Sequence, residues 1–517
     1  MTPSPEFSFR TRREWLERVD GATYDALIVG GGIVGAGLAR ELSIRGLKTL
    51  LVEQGDFASG TSSRSSKLIH GGLRYLEMFD FGLVFEALAE RHWLLRTHPH
   101  LVSPLEFDLP VYDKANAPPG ARSGFLLKMG LWLYDGLSLF RTPFMHGRHS
   151  LEETKRLFPG IREEGLRSSL YYADALMHDD EMVLECLHDS VRRGATALNY
   201  VRADEVSARG ADGFFEITLS DRLPSDDEPP RSWKARAREV ISCVGPWTEL
   251  FGDRVPAGAG RKLKPSKGVH LILHWQRLPI EKCIVMYARD GRIVFAIPRK
   301  DLGPGAEKII VGTTDSPSTG DPGEARSAAE DVDYLLSVLT RYFPRAELSR
   351  RDVIMTYAGV RPLLDEGVAA EAKTSREHQI WRNSAGIVFM AGGKYTTFRN
   401  ISVELADFAF PRTRASGRVS KEPLSTPSEY AMRMAGTPLW GRYTDGWLRW
   451  KVRHHCPCTL VDLVWRRIPL WMEGAALPPA VLDSVMAIAQ EEFQLTGAQL
   501  ARQRDALDQS IRRNLPG

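Results

Sequence analysis

A glycine-rich turn near the N-terminus has the spacing of a dinucleotide-phosphate cradle. Gly30, Gly32 and Gly35 follow an apolar run directly, and Glu53 ends the next apolar run. In such a motif the first glycine permits a tight turn, the second lets the backbone approach a pyrophosphate, and the third lets a helix pack on a strand. The helix would begin near Ile33, where free N–H groups attract phosphate, and Glu53 would bind an adenosine ribose. The pattern predicts dinucleotide binding, does not separate NAD from FAD, and leaves a plain glycine turn as the alternative.

A polar segment from 60 to 76 is the second candidate for contact with a dinucleotide. Its hydroxyl and basic side chains precede the paired glycines Gly71 and Gly72. Side chains of these types could line a dinucleotide, and the glycines could bring the backbone close to a flavin ring. A polar surface loop is the alternative interpretation.

A second glycine turn lies at 392–397, with the sequence GGKYTT. It follows an apolar run and precedes a helical pattern, as the first turn does. The positive end of that helix could face a flavin and stabilise its anionic reduced form. Thr396 and Thr397 are also ordinary helix starters, so simple capping is the alternative.

Three cations lie inside glycine- or proline-marked motifs: Arg74, Arg361 and Lys394. A substrate that carries a phosphate dianion needs convergent cations, and arginine offers a planar fork where lysine offers a point charge. Any one of the three could instead be a solvated surface charge, since the chain has 68 basic residues.

The elements that must position these residues are strands and helices of an α/β fold. Residues 24–29, 35–46 and 48–53 predict a βαβ unit. From residue 400 onward the pattern is mostly helical. A Pro/Ser-rich link at 411–428 interrupts it and suggests a domain boundary. Strand-like runs separated by turn residues predict a mostly β region; they lie at 214–219, 236–244, 269–274, 283–287, 292–297 and 308–312.

Composition bounds the class of protein. With 517 residues, 43% hydrophobic and 26% charged, the chain is that of a globular protein of two to four domains. A net charge of +3 argues against a nucleic-acid partner. Five scattered cysteines and an N-terminus without a signal-like apolar core predict a reducing cytoplasm, and no apolar stretch is long and clean enough to span a bilayer.

The motifs together resemble the FAD-dependent glycerol-3-phosphate dehydrogenases, within the glycine/D-amino-acid oxidase superfamily. The resemblance runs from Asp25 to about Ala406. Besides the segment at 60–76, it rests on GPW at 245–247, SKGVH at 266–270, VGTTD at 311–315, YAGVRPL at 357–363 and GGKYTTFR at 392–399.

This resemblance implies the cofactor and the residues around it. FAD is expected, with no metal. The implied FAD-binding residues are Gly30, Gly32, Ile33, Gly35, Glu53, Thr61, Ser62, Ser65, Ser66, Lys67, Leu68, His70, Gly71, Gly72, Gly245, Trp247, Gly393, Lys394, Thr396 and Thr397. The implied substrate-binding residues are Arg74, Tyr75, His270, Arg361 and Lys394.

The implied reaction is oxidation of sn-glycerol 3-phosphate to dihydroxyacetone phosphate, with hydride transfer to the flavin and electrons passed to membrane quinone. His270 is the first candidate for the base that takes the hydroxyl proton, while Arg361 and Lys394 would polarise the developing carbonyl. The alternatives are an oxidase that uses O₂, a superfamily enzyme for another small hydroxy or amino substrate, and a flavin-binding interaction protein without turnover.

The resemblance also implies a Rossmann-like FAD-binding domain with an inserted, mostly antiparallel-β substrate domain and a C-terminal helical cap. We expect the FAD-binding domain at 23–110, 170–250 and 345–408 and the substrate domain at 111–169 and 251–344. An N-terminal helical extension (1–22) and the C-terminal helical domain (409–517) complete the chain. The stretch from Pro411 to Arg453 looks shorter than is usual in the family, which leaves the shape of the cap and a homodimer contact open.

A segment at 439–470 is the candidate for peripheral contact with the cytoplasmic face of a membrane. It holds six basic residues, two acids and four tryptophans. Basic and aromatic residues together suit the lipid headgroup layer. Alternatively, these tryptophans pack inside the helical cap and the arginines form an ordinary solvated face.

Overall fold

The computed structural model describes residues 6–73, 76, 80–118, 122–223, 231–365, 378–413, 422–424 and 427–516. Its first sheet has the strand order β17-β18-β10-β1-β2-β7, with β9 paired to β10 and β8 to β9. Its strands are β1 (Thr23–Val29), β2 (Thr49–Val52), β7 (Thr196–Leu198), β8 (Val201–Val206), β9 (Phe215–Asp221), β10 (Ser232–Ser242), β17 (His378–Arg382) and β18 (Val388–Gly392).

The core of this sheet is parallel and buried. Strand β1 pairs in parallel with both β2 and β10, and β18 pairs in parallel with β10. A strand covered on both faces must be apolar nearly throughout, as the run ALIV of β1 is. The carboxyl ends of these parallel strands meet at one edge, which is where doubly wound sheets bind ligands.

A second sheet is mainly antiparallel, with the order β15-β11-β14-β13-β12-β4-β6-β3, β16 paired to β11 and β5 to β6. Its strands are β3 (Leu68–Ile69), β4 (Val102–Tyr112), β5 (Gly147–His149), β6 (Leu166–Met177), β11 (Ser266–His274), β12 (Cys283–Tyr287), β13 (Ile293–Arg299), β14 (Lys308–Gly312), β15 (Ser316–Pro317) and β16 (Val353–Arg361). A short hairpin in the C-terminal region is made by β19 (Pro438–Trp440) and β20 (Tyr443–Thr444).

Four strands lie in a different sheet from the one that the predicted domain boundaries imply. These boundaries put nearly all of β4 and β6, and all of β3 and β16, in the FAD-binding domain, yet each pairs within the second sheet. Their apolar patterns fit either sheet, and only long-range pairing decides between them. The second sheet therefore draws strands from both sides of each proposed boundary.

The helices cover the first sheet and build the C-terminal region. Helix α2 begins after Gly32 at the end of β1 and packs on α6 and α9. The helices are α1 (Phe9–Val19), α2 (Ile33–Ile44), α3 (Phe81–Thr97), α4 (Gly124–Leu137), α5 (Leu151–Leu157), α6 (Asp179–Arg192), α7 (Thr248–Gly252), α8 (Ala329–Tyr342), α9 (Phe398–Ala409), α10 (Pro427–Arg433), α11 (Asp445–His454), α12 (Leu460–Asp462), α13 (Pro479–Phe493) and α14 (Gly497–Arg512).

The segment at 439–470 does not form the basic and aromatic surface that its composition suggests. Trp447 and Lys451 have no exposed surface, and Trp440 is buried. Arg453 pairs with Glu492 at 2.7 Å and Arg466 with Asp56 at 2.5 Å. Trp440 and Trp447 thus contribute to the core and these two cations are paired with acids, which disfavours this segment as a membrane surface.

Both the helices and the cysteines bear on the sequence predictions. Within the described residues, no helix combines the length and apolar character that a membrane crossing requires. All five cysteines are free and buried.

Candidate active site: a dinucleotide cleft and an adjacent charged cluster

A cleft of about 530 Å³ lies where the parallel strands of the first sheet end. Val29 from β1 and Ala391 from β18 line it, together with Cys243, which follows β10. Eleven of the expected site residues line this cleft: Gly30, Gly32, Ile33, Glu53, Thr61, Ser62, Ser65, Gly245, Trp247, Gly393 and Lys394.

Glycine is required at two positions of the cradle. Gly30 has φ +111°, and a Cβ there would lie 2.5 Å from the carbonyl oxygen of Cys243. A Cβ on Gly35 would lie 1.9 Å from the carbonyl oxygen of Gly30. Gly35 does not line the cleft; it lets α2 pack against the turn, as the motif predicts.

Side chains from neighbouring segments hold the glycine turn and the first turn of α2. Ile33 donates its N–H to Ser62 Oγ at 2.9 Å. Glu53 accepts hydrogen bonds from the N–H groups of Gly31 at 2.7 Å and Gly55 at 2.9 Å. Burial raises the pKa of the Glu53 carboxyl. Glu53 therefore orders the glycine turn itself, and its expected contact with a ribose would come in addition to that role.

Eight expected cofactor residues do not line the cleft. They are Ser66, Lys67, Leu68, His70, Gly71, Gly72, Thr396 and Thr397.

Ser66 contacts His270, and the other contacts shown for this group are with neighbouring strands, helices and turns. Leu68 belongs to β3, which pairs with β6, and Lys67 Nζ lies 2.5 Å from Asp179. Gly71 donates its N–H to Tyr134 at 2.9 Å, and the Thr396 hydroxyl donates to the carbonyl of His70 at 3.3 Å. These residues therefore fix the backbone that surrounds the cleft.

The candidate base, His270, is buried on β11. Its ring stacks on Tyr357 of β16 at 4.7 Å, and its Nε2 lies 2.8 Å from Ser66 Oγ. Burial, assisted by the positive charges of Arg361 and Lys67, lowers the pKa of His270 to about 3. The imidazole is therefore neutral near pH 7 and can accept a proton.

Arg361 is held at the end of β16 by partners from neighbouring strands and turns. Its guanidinium contacts Asp315 at 3.3 Å, Thr313 Oγ1 at 3.1 Å and Ser266 Oγ at 3.4 Å. A Cβ on Gly268 would lie 2.4 Å from the guanidinium, so glycine there leaves room for it. The cation is thus positioned before any ligand arrives.

His270 and Arg361 lie beside the cleft without lining it. Ser65 lines the cleft while its neighbour Ser66 contacts His270. Arg361 stands between Val360 and Pro362, both of which line the cleft. Arg74 and Tyr75 lie outside the described residues.

Three residues that contact His270 and Arg361 are absent from the expected site residues. Tyr357 positions the His270 ring, and Asp315 and Thr313 position Arg361. All three occur in motifs that we identified, at 311–315 and 357–363, so their types were visible. Their roles depend on β11 pairing with both β14 and β16, which local pattern does not predict.

Two groups of acids and histidines have spacings that could suit a metal ion, Glu185 with His188 and His455, and Glu106 with Asp108 and His149. In the first, Arg433 lies 2.7 Å from Glu185, and in the second, Lys282 lies 3.6 Å from Glu106. A cation therefore already faces a carboxylate in each group.

The donor set fits a flavin dinucleotide. Gly30 and Gly32 line the cleft where α2 begins, and a Cβ on Gly32 would lie 3.0 Å from Ser62 Oγ, so the backbone there is open to a pyrophosphate. A neutral histidine and two cations lie at or beside the same cleft. Such an arrangement can bind a phosphorylated alcohol and remove its hydroxyl proton next to a bound redox cofactor.

Comparisons with known proteins agree with this chemistry. The profile of the DAO family, described as FAD dependent oxidoreductase, matches residues 25–399. The aerobic glycerol-3-phosphate dehydrogenase of Bacillus subtilis (strain 168) is 31% identical over 421 residues, covering 81% of this chain and 73% of that protein. The enzyme of the same name from Staphylococcus aureus (strain MRSA252) is 32% identical over 404 residues, covering 78% and 70%.

Solved structures share the fold. The glycerol-3-phosphate dehydrogenase from Bacillus halodurans complexed with FAD has a TM-score of 0.77 at 24% identity, covering 98% of this chain and 99% of that one. The L-alpha-glycerophosphate oxidase from Mycoplasma pneumoniae with FAD bound has a TM-score of 0.56 at 16% identity, covering 77% and 98%.

Proposed function

Because the chain belongs to the FAD dependent oxidoreductase family, we propose that it oxidises sn-glycerol 3-phosphate to dihydroxyacetone phosphate as an FAD-dependent dehydrogenase. The observation that best supports this function is that His270, Arg361 and Lys394 lie in or beside the cleft that contains the glycine cradle. A hydroxyl-bearing phosphate ester needs a proton acceptor and cations at one place, and these residues supply both.

When bound, FAD supplies the hydride acceptor. We infer that His270 takes the substrate hydroxyl proton at Nε2, the ring nitrogen that already faces the Ser66 hydroxyl. Arg361 and Lys394 bind the substrate anion and polarise the oxygen that becomes a carbonyl. Burial is the main cause of the low pKa of His270, and the charge of Arg361 comes second. A phosphate dianion beside Arg361 would offset that second cause and so raise the pKa of His270.

The flavin spectrum tests this function. We expect the purified protein to be yellow and to bleach anaerobically with glycerol 3-phosphate, but not with glycerol or lactate, because only the phosphate ester engages the cations. Reoxidation of the bleached protein by a soluble quinone analogue, compared with O₂, separates a dehydrogenase from an oxidase. A colourless protein that takes up no FAD would exclude the proposal. Bleaching by an amino acid or hydroxy acid instead would favour another substrate class.

We propose that membrane quinone accepts the electrons and that the chain docks on the cytoplasmic face of the bilayer through α4. The outer face of this helix and the turn after it form an apolar surface, the α4 ridge, which is strongly exposed. It consists of Phe125 (76% exposed), Leu126, Met129, Trp132, Leu133, Leu139 and Phe140 (60% exposed). A contiguous surface of this kind indicates an interaction site.

Charge around the α4 ridge favours an anionic lipid surface as the partner. Between residues 122 and 148 the sequence has four basic residues, Arg122, Lys128, Arg141 and Arg148. The one acid there, Asp135, is buried and accepts a hydrogen bond from the backbone N–H of His146 at 3.0 Å. The inner face of the helix also supports the cleft, since Tyr134 holds the Gly71 backbone. The ridge would therefore lie on the bilayer next to the segment that borders the cofactor cleft.

Liposome sedimentation distinguishes this ridge from the 439–470 segment. We expect the double variant Phe125→Glu/Phe140→Glu to lose binding to anionic liposomes at least about a hundredfold, because each buried phenylalanine contributes about 1.5–3 kcal/mol. The matched control Arg449→Glu/Arg453→Glu should bind as the unmodified protein does. The reverse pattern would return the docking surface to 439–470, and no binding of the unmodified protein would exclude a membrane partner. FAD content and activity with a soluble acceptor should be equal in all variants.

A further inference from the structure

A second cavity, of about 310 Å³, lies between the loop after β2, the residues around 461–471 and the C-terminal end of α14. Its lining is strongly cationic. Five basic side chains and one acid face it: Arg64, Lys67, Arg326, Arg466, Arg513 and Asp180. It shares Ser59 and Arg64 with the cofactor cleft, and it borders the candidate active site through Tyr357, whose ring stacks on His270.

Two of these five cations are already compensated. Lys67 pairs with Asp179 at 2.5 Å, and Arg466 pairs with Asp56 at 2.5 Å and with Asp462 at 2.9 Å. Their charge is balanced by buried carboxylates outside the cavity.

The other three arginines have weaker compensation. Arg64 donates to the carbonyl of Ala358 at 3.2 Å, and Arg326 donates to the carbonyls of Gly323 and Ala325. The carboxylate of Glu324 lies 3.6 Å from Arg326 but is 75% exposed, so solvent screens that pair. Arg513 follows α14 on an exposed stretch of chain. The cavity therefore has a surplus of positive charge.

The electrostatics of Arg64 are consistent with this surplus. Burial, together with the positive charges of Arg326 and Arg466, lowers the pKa of the Arg64 guanidinium to about 10. An anion in the cavity would reverse this effect, since it would favour the charged form of Arg64.

The cavity also has a rigid aromatic wall. Trp465 and Trp471 line it and stack at 4.7 Å.

We propose that this cavity is a second binding site, for a small phosphate-bearing anion, next to the cofactor cleft and the His270 side of the active site. Convergent arginines offer the forked donors that phosphate groups prefer. A ligand there would connect the loop at 59–67 to Arg513 at the end of α14, and so would tie the C-terminal region to the cofactor domain. This inference does not depend on the substrate that we propose for the active site.

Calorimetric titration with inorganic pyrophosphate tests the site. The FAD-saturated protein is used in buffer free of phosphate and sulfate, so that the cofactor already occupies its own phosphate cradle. We expect one binding site, an affinity at least tenfold weaker in Arg326→Gln/Arg513→Gln, and a higher melting temperature of the unmodified protein with the ligand. Arg512→Gln, one residue away and also exposed, is the matched control and should bind normally.

Three results would overturn the site. They are the absence of binding, an affinity unchanged in the double variant, and an affinity equal to the constant for competitive inhibition against glycerol 3-phosphate. The last would place pyrophosphate in the substrate site. Equal FAD content and equal melting temperature of the ligand-free variants exclude misfolding as the cause of a loss.

Discussion

Replacing His270 with asparagine should lower kcat by about 10²–10⁴-fold while FAD content is unchanged, since a positioned base contributes a factor of that size. His270 is buried and stacked on Tyr357, and burial keeps its imidazole neutral. KM should change much less than kcat, because Arg361 and Lys394 still bind the substrate. Steady-state kinetics with a soluble acceptor and the flavin absorbance of each preparation measure both effects.

The control for this variant is His274→Asn, which makes the same change on the same strand at an exposed position. It should leave kcat unaltered. The residual rate of His270→Asn should rise with pH, because hydroxide replaces the missing base, whereas a variant damaged only in structure would show no such dependence. A kcat within about twofold of the unmodified enzyme, or an equal loss in both variants, would remove His270 from the chemistry.

Replacing Gly30 with alanine should abolish stable FAD binding. At φ +111° an alanine is strained by about 1–3 kcal/mol, and its Cβ would lie 2.5 Å from the Cys243 carbonyl oxygen. Overpacking against backbone adds about 1–3 kcal/mol. Relief of both requires the turn to move, which displaces the N–H groups that face the pyrophosphate. The measurement is the ratio of flavin to protein after gel filtration, followed by FAD titration of the apoprotein.

The control Gly46→Ala separates backbone strain at a positive φ from the steric clash of the new Cβ. Gly46 also has a left-handed φ, of +75°, but a Cβ there meets no atom within 4 Å. It should lower the melting temperature slightly and leave FAD affinity unchanged. If Gly30→Ala retained full flavin occupancy, the cradle would not be the FAD phosphate site.

The sequence by itself determined the chemical class and predicted the position of the glycine cradle. Gly30, Gly32, Gly35 and Glu53 could be assigned from local pattern, because a turn, a helix start and a strand end are decided by neighbours in the chain. Resemblance of motifs then indicated FAD and the substrate.

Local sequence pattern could not predict which distant strands pair with one another. The assignment of β4, β6 and β16 to the second sheet, and hence the contact of Tyr357 with His270 and of Asp315 with Arg361, needed the tertiary structure. Apolar alternation shows which face of a strand is buried, but not which strand lies beside it.

The two candidate membrane surfaces, the 439–470 segment and the α4 ridge, also show what sequence can and cannot predict. The composition of 439–470 suits lipid headgroups, but Trp447 and Lys451 lie in the core. Phe125 and Phe140 lie in an apolar stretch, yet both are on the surface. Composition fixes what a segment could bind, whereas exposure depends on which other segments pack against it, and only the tertiary structure decides that.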